Sequence, residues 1–219
     1  MSGYSPILSI LALLVGGAIV FVVVSGIVIG ALASGDAGEP PRKCRNSEID
    51  LESATSPVLR DVLTDPALAQ QWQQRWDAFE AQLDSGSPAS VTFEEGEVTS
   101  RAAQWVDETG APLEDVTICF YDGVVEARGH AEIPVLADAP IIGGAFESDV
   151  RVLGRIDLGS EHPQITIAEF SAGDLPDWAT DPVQEDIEEI VNDRLAAYDT
   201  DHTYTVTYRE GQIEITDQP

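Results

Sequence analysis

Lysine occurs once in these 219 residues, at Lys43, and the 11 basic residues face 39 acidic ones, a net charge of -28. Phosphate backbones are bound by clustered Lys and Arg that displace counterions. Only Arg42, Lys43 and Arg45 cluster, so the shortage excludes a nucleic-acid partner. Cysteine is nearly as scarce: Cys44 and Cys119 have no near neighbour of their kind, which excludes CxxC redox and zinc motifs. The three histidines, His130, His162 and His202, form no HxH or HxxxH pair that would present two metal ligands from one element. No GxSxG elbow, P-loop or GxGxxG occurs. No catalytic residue, metal ligand or cofactor is assigned, and the chain reads as non-enzymatic. A carboxylate-dependent hydrolase ranks lower because no nucleophile and base accompany the acids.

What the chain has in excess is acid, and every charge lies after residue 35. Such a surface stays solvated in salt-rich surroundings, which bears on solubility and not on fold. Glu94, Glu95 and Glu97 in VTFEEGEVTSRAAQW look like a site. They sit instead where a helix start favours negative charge, with Thr92 and Glu95 in the T-x-x-E spacing of a capping box and Val98, Ala102 and Trp105 as the stripe behind.

The one long apolar run lies at 7–33, uncharged from Ile7 to Ala33. As a helix it would rise roughly 40 Å against a hydrocarbon core of about 30 Å. A cleaved signal peptide is the rival, since Ala31-Leu32-Ala33 fits a cleavage pattern, yet MSGYSP carries no Lys or Arg and the run exceeds an ordinary h-region. We expect an uncleaved single-pass anchor over 1–35, with Gly26 and Gly30 spaced so that two anchors could pack as a dimer. Orientation signals oppose each other. The basic cluster after the run favours a cytoplasmic domain, while Cys44 and Cys119 are compatible with a disulfide in an oxidising compartment.

A Gly- and Pro-rich linker (36–46) leads to a helical arm (47–89) with Leu68, Trp72, Trp76, Phe79 and Leu83 on one stripe, capped by Asp65 and Pro66. Over 90–219 the period changes. Val116, Ile118 and Phe120 alternate with Thr117, Cys119 and Tyr121; Asp122-Gly123 turns; Val125, Ala127, Gly129 and Ala131 alternate with Glu126, Arg128, His130 and Glu132. Two further strands follow, then a helix opened by Asp181-Pro182 with Val183, Ile187, Ile190, Val191 and Leu195 on one face, then a hairpin at Glu210-Gly211. The expected class is α+β, a curved antiparallel β-sheet wrapping amphipathic helices.

The runs VTFEEGEVTSRAAQW, LEDVTICFYDGVVEARG and ITIAEFSAGDLPDW, in that order and followed by a helix and a closing hairpin, resemble the LmeA-like bacterial phospholipid-binding envelope proteins, single modules of the TULIP-like lipid-binding superfamily. The resemblance covers about residues 90 to 217. It implies a TULIP-like half module, an extracytoplasmic setting at the cell membrane and a phospholipid or other amphiphile as ligand, without covalent chemistry. It supplies no ligand residues.

A slot between sheet and helices would take acyl chains, which need little directional chemistry. Its lining is expected from Val116, Ile118, Phe120, Val125, Ala127, Ile165, Ile167, Ile187 and Val191. The alternative is a non-enzymatic membrane-tethered scaffold with a solid core.

Overall fold

A computed structural model describes residues 43–45, 59–111, 113–133, 146–159, 163–173, 176–196 and 202–218. The apolar run at 7–33, Gly26, Gly30 and most of the linker lie outside the described residues. Among the described residues no helix is long and apolar enough to cross a membrane.

The chain is α+β, with antiparallel sheets and three helices. Helix α1 (Pro66–Asp84) starts where Asp65 accepts from the Ala67 N–H at 2.7 Å, with Pro66 in the first turn. Its stripe of Trp72, Trp76, Phe79 and Leu83 is buried. Helix α2 (Glu95–Thr109) stops at Gly110, whose φ of 63° is the left-handed geometry of a helix C-terminus. Helix α3 (Asp177–Leu195) follows the strands.

Strands β1 (Lys43–Arg45) and β2 (Leu59–Asp61) form a small antiparallel pair. Strands β3 (Ser90–Glu94), β8 (Thr203–Arg209) and β9 (Gln212–Gln218) form a three-stranded sheet in the order β3-β9-β8. Strands β4 (Leu113–Tyr121), β5 (Val124–Ile133), β6 (Phe146–Asp157) and β7 (Gln164–Ala172) form a four-stranded meander in sequence order. Asp122-Gly123 and Glu210-Gly211 make the tight turns, with Gly123 at φ 85° and Gly211 at φ 79°. At the β6 bulge, Gly154 is required by space: a Cβ there would meet the Thr166 carbonyl oxygen at 2.5 Å.

One core joins these layers. Trp72, Trp76, Phe79 and Phe93 stack beside Val98, Ala102 and the inner faces of both larger sheets. The segment read as an arm is therefore part of the same core, and its aromatic stripe faces protein. Residues 59–61, expected to be helical, are strand, because β2 pairs with β1. Cys44, expected in the linker, is inside the fold. Helix α3 begins at Asp177, a turn before the Asp181-Pro182 start expected from the sequence.

The alternation along the first hairpin predicts one buried face, but β4 is buried on both faces from Val116 to Tyr121. Behind the main core a second cluster gathers Cys44, Val62, Cys119, Tyr121, Val124 and Leu153. There Cys44 and Cys119 form a disulfide with their Cα atoms 5.6 Å apart. It staples β1 to the outer face of β4.

Candidate functional site: the apolar face under α3

All nine expected lining residues meet on one face. Val116, Ile118 and Phe120 of β4, Ile165 and Ile167 of β7, and Ile187 and Val191 of α3 are each at most 7% exposed, and Val125 and Ala127 of β5 pack against them, partly buried. The alternation of two-residue period on the strands and the Ile187, Val191, Leu195 row on the helix bring them together. Helix α3 packs mainly on β7 and so closes this side of the face.

The meander has two edges, β4 and β7, and each is closed by helix side chains rather than by another strand of the same sheet. On β4, Glu95 Oε1 accepts from the Phe120 N–H at 2.6 Å. One turn along α2, the Thr99 hydroxyl accepts from the Ile118 N–H at 3.0 Å and donates to the Ile118 carbonyl at 3.3 Å. The Phe120 carbonyl takes Arg60 Nη2 at 3.1 Å and the Gly211 N–H at 3.0 Å. On β7, Asn192 Oδ1 accepts from the Ile165 N–H at 2.8 Å and its Nδ2 donates to the Ile165 carbonyl at 3.0 Å. Glu188 Oε2 accepts from the Ile167 N–H at 2.7 Å, and Gln184 Nε2 donates to the Ile167 carbonyl at 2.9 Å. Residues four apart on a helix align with alternate outward-facing backbone groups of a strand. Free backbone edges invite pairing with other chains, and these helices occupy both.

Thr99→Val keeps the shape of the side chain but strands the buried Ile118 N–H. We expect it to cost about 1–3 kcal/mol, measured as a lowered urea midpoint.

Glu95, Glu97 and the start of α2 differ from expectation. The residue preceding the helix is Glu94, whose backbone N–H donates to Glu97 Oε2 at 2.9 Å; Thr92 and Glu95 are not the capping pair. Glu97 also lies 3.3 Å from Arg75 Nε. Glu95 holds Arg60 in a two-pronged pair, at 2.5 Å and 2.9 Å. Burial alone would lower the Arg60 pKa, but the hydrogen bond and charge of Glu95, with Glu210 beside it, raise it above its ordinary value. These carboxylates are committed to structure.

On the outer face of the meander, Glu126 is 2% exposed, with Arg151 Nε at 2.7 Å and Arg128 Nε at 2.8 Å. Arg128 also donates to the Lys43 carbonyl, linking this cluster to β1. Arg151 reaches Glu169 at 2.5 Å, and Glu126 and Glu169 hold its pKa above the ordinary value against the lowering effect of burial. His130 pairs with Asp149 at 2.9 Å. Among the described residues no group of three His, Cys, Asp or Glu could hold a metal ion.

Tyr208 joins the two larger sheets, accepting from the Ile156 N–H at 2.9 Å and donating to its carbonyl at 3.2 Å. Burial pushes its phenol pKa well above 10. Below that pH the phenol is neutral in folded and unfolded chains alike. Above it the unfolded chain loses the proton first, so stability falls as pH rises. We expect the stability difference between wild type and Tyr208→Phe to shrink between about pH 10 and pH 12, read from urea midpoints across that range.

No family model matches the chain, and no curated protein matches it. The edge-closing residues were missed in the sequence, although Gln184, Glu188 and Asn192 form a polar row beside the Ile187 row that spacing alone could have exposed. The uncharged run from Val116 to Tyr121, in which Cys119 and Tyr121 stand where the alternation calls for polar residues, was the available sign that β4 is covered on both faces.

Proposed function

We propose that this protein is a membrane-anchored, extracytoplasmic, non-enzymatic module that holds acyl chains of a phospholipid or other amphiphile between the meander and α3, in the manner of a TULIP-like half module. The observation that carries the reading is the convergence of nine apolar residues from three strands and one helix on a single face. Such a face suits a ligand recognised by apolar burial, with no directional chemistry required. The Cys44–Cys119 disulfide supports an oxidising, extracytoplasmic setting, and the apolar run at 7–33 would serve as the anchor.

A second reading is a membrane-tethered scaffold with a solid core. It is favoured by the exposure of at most 7% at seven of the nine residues. Organic extraction of the full chain after purification in mild detergent separates the two. Stoichiometric recovery of an amphiphile is expected from the first reading. A chain that never carries lipid but keeps a stable protein partner would replace it with the second.

A further inference from the structure

We propose that α3 is the gate of the apolar face and that the ligand enters along the seam between α3 and β7, with Gln184, Glu188 and Asn192 as the latch. This rests on the lipid-binding reading.

The two edge closures use the same device but are built to different strengths. Helix α2 packs on α1, β3 and β4. Its bonds to β4 are buried at Ile118 and Phe120, and Arg60 and the Gly211 N–H add to them. The disulfide at Cys119 lies on the same strand. Opening that edge would strand buried polar groups without water, which is costly. Helix α3 has β7 as its main neighbour, and all four of its bonds to Ile165 and Ile167 are only part-buried.

Water at the seam can take over each of those four bonds as they break, so separating α3 from β7 costs little in hydrogen bonding. What then resists opening is the burial of Ile187, Val191 and Leu195, and an acyl chain sliding between helix and sheet restores that burial from both sides. Ile165 and Ile167 thus have two roles. Their side chains line the face, and their backbone groups hold the latch. The outward surface of α3 exposes Glu185, Asp186, Glu189 and Asp193, which would repel an anionic headgroup, so a zwitterionic amphiphile is the suitable probe.

The test follows loading of a lysophosphatidylcholine with a fluorophore at its acyl end into the full chain held in zwitterionic nanodiscs. Gln184→Ala with Asn192→Ala removes three of the four latch bonds and is expected to speed both loading and release by about tenfold. A second variant, Glu188→Cys with Thr166→Cys bridged by a short bis-maleimide, is expected to slow loading by at least about tenfold relative to the same variant before bridging. The native cysteines are paired, so the reagent reacts at the new pair. Unchanged rates in the latch variant, or free loading of the bridged protein, would overturn the gate and leave lipid binding standing. A wild-type chain that never takes up the probe would overturn the lipid-binding reading and the gate with it.

Discussion

Replacing both Cys44 and Cys119 by Ser should destabilise the folded domain by roughly 4 kcal/mol. The disulfide closes a loop of sequence separation 75, and loop-closure entropy on that scale is lost from the unfolded chain once the link is gone. The native state is also affected. Strands β1 and β2 are each three residues long, too short to hold a place on the meander through their own pairing. Their anchors are Cys44, the packing of Val62 on Tyr121, Val124 and Leu153, and the reach of Arg60 to Glu95 and Glu210. Without the staple the outer face of β4 loses its cover. Urea unfolding of wild type and variant, with wild type in reductant as a third sample, measures the effect. A change below about 1 kcal/mol would mean that packing alone holds β1 in place.

Glu126→Ala should cost about 3 kcal/mol, the other large effect. The carboxylate lies between Arg128 and Arg151, and its removal leaves two guanidiniums facing each other with part of their surface withdrawn from water. Glu169 still serves Arg151, which limits the loss. The pair itself adds little net stability, because withdrawing both signs of charge from water offsets most of their attraction. Replacing Glu126, Arg128 and Arg151 together by Leu, Met and Met is therefore expected to cost less than Glu126→Ala alone, an ordering that thermal or urea unfolding reads directly. The reverse ordering would show that the network contributes more than charge balance.

Local signals carried much of the fold. Asp122-Gly123 and Glu210-Gly211 mark their hairpins because the second turn position takes a positive φ that glycine adopts freely, and the aromatic stripe of α1 follows from helical spacing. The errors arose where distant residues decide local structure. Thr92 and Glu95 have capping spacing, yet β3 pairs with β9 as far as Glu94 and Gln212, and the Glu95 N–H bonds to the Gly211 carbonyl. The strand therefore runs past Thr92 and moves the helix start to Glu95, with Glu94 as the capping residue. Residues 59–61 are strand only because Lys43, Cys44 and Arg45 lie opposite them. Glu126 alternates like a solvent-facing residue, and nothing near it reveals that β1 and the disulfide cover that face. That Val116, Ile118, Phe120, Val125, Ala127, Ile165, Ile167, Ile187 and Val191 share one apolar cluster was legible because period two and period 3.6 each select one face. The edge closures were not, since they depend on which strands end up at the rim of the sheet.

Native mass spectrometry of the full chain released from mild detergent tests amphiphile binding directly, by comparison with Ile187→Trp, which adds bulk to the face under α3. The expected result is a wild-type species heavier than the bare chain by the mass of an amphiphile, and loss of that species in a variant that still unfolds cooperatively. The bare mass alone for wild type, in every detergent and with every lipid offered, would contradict it.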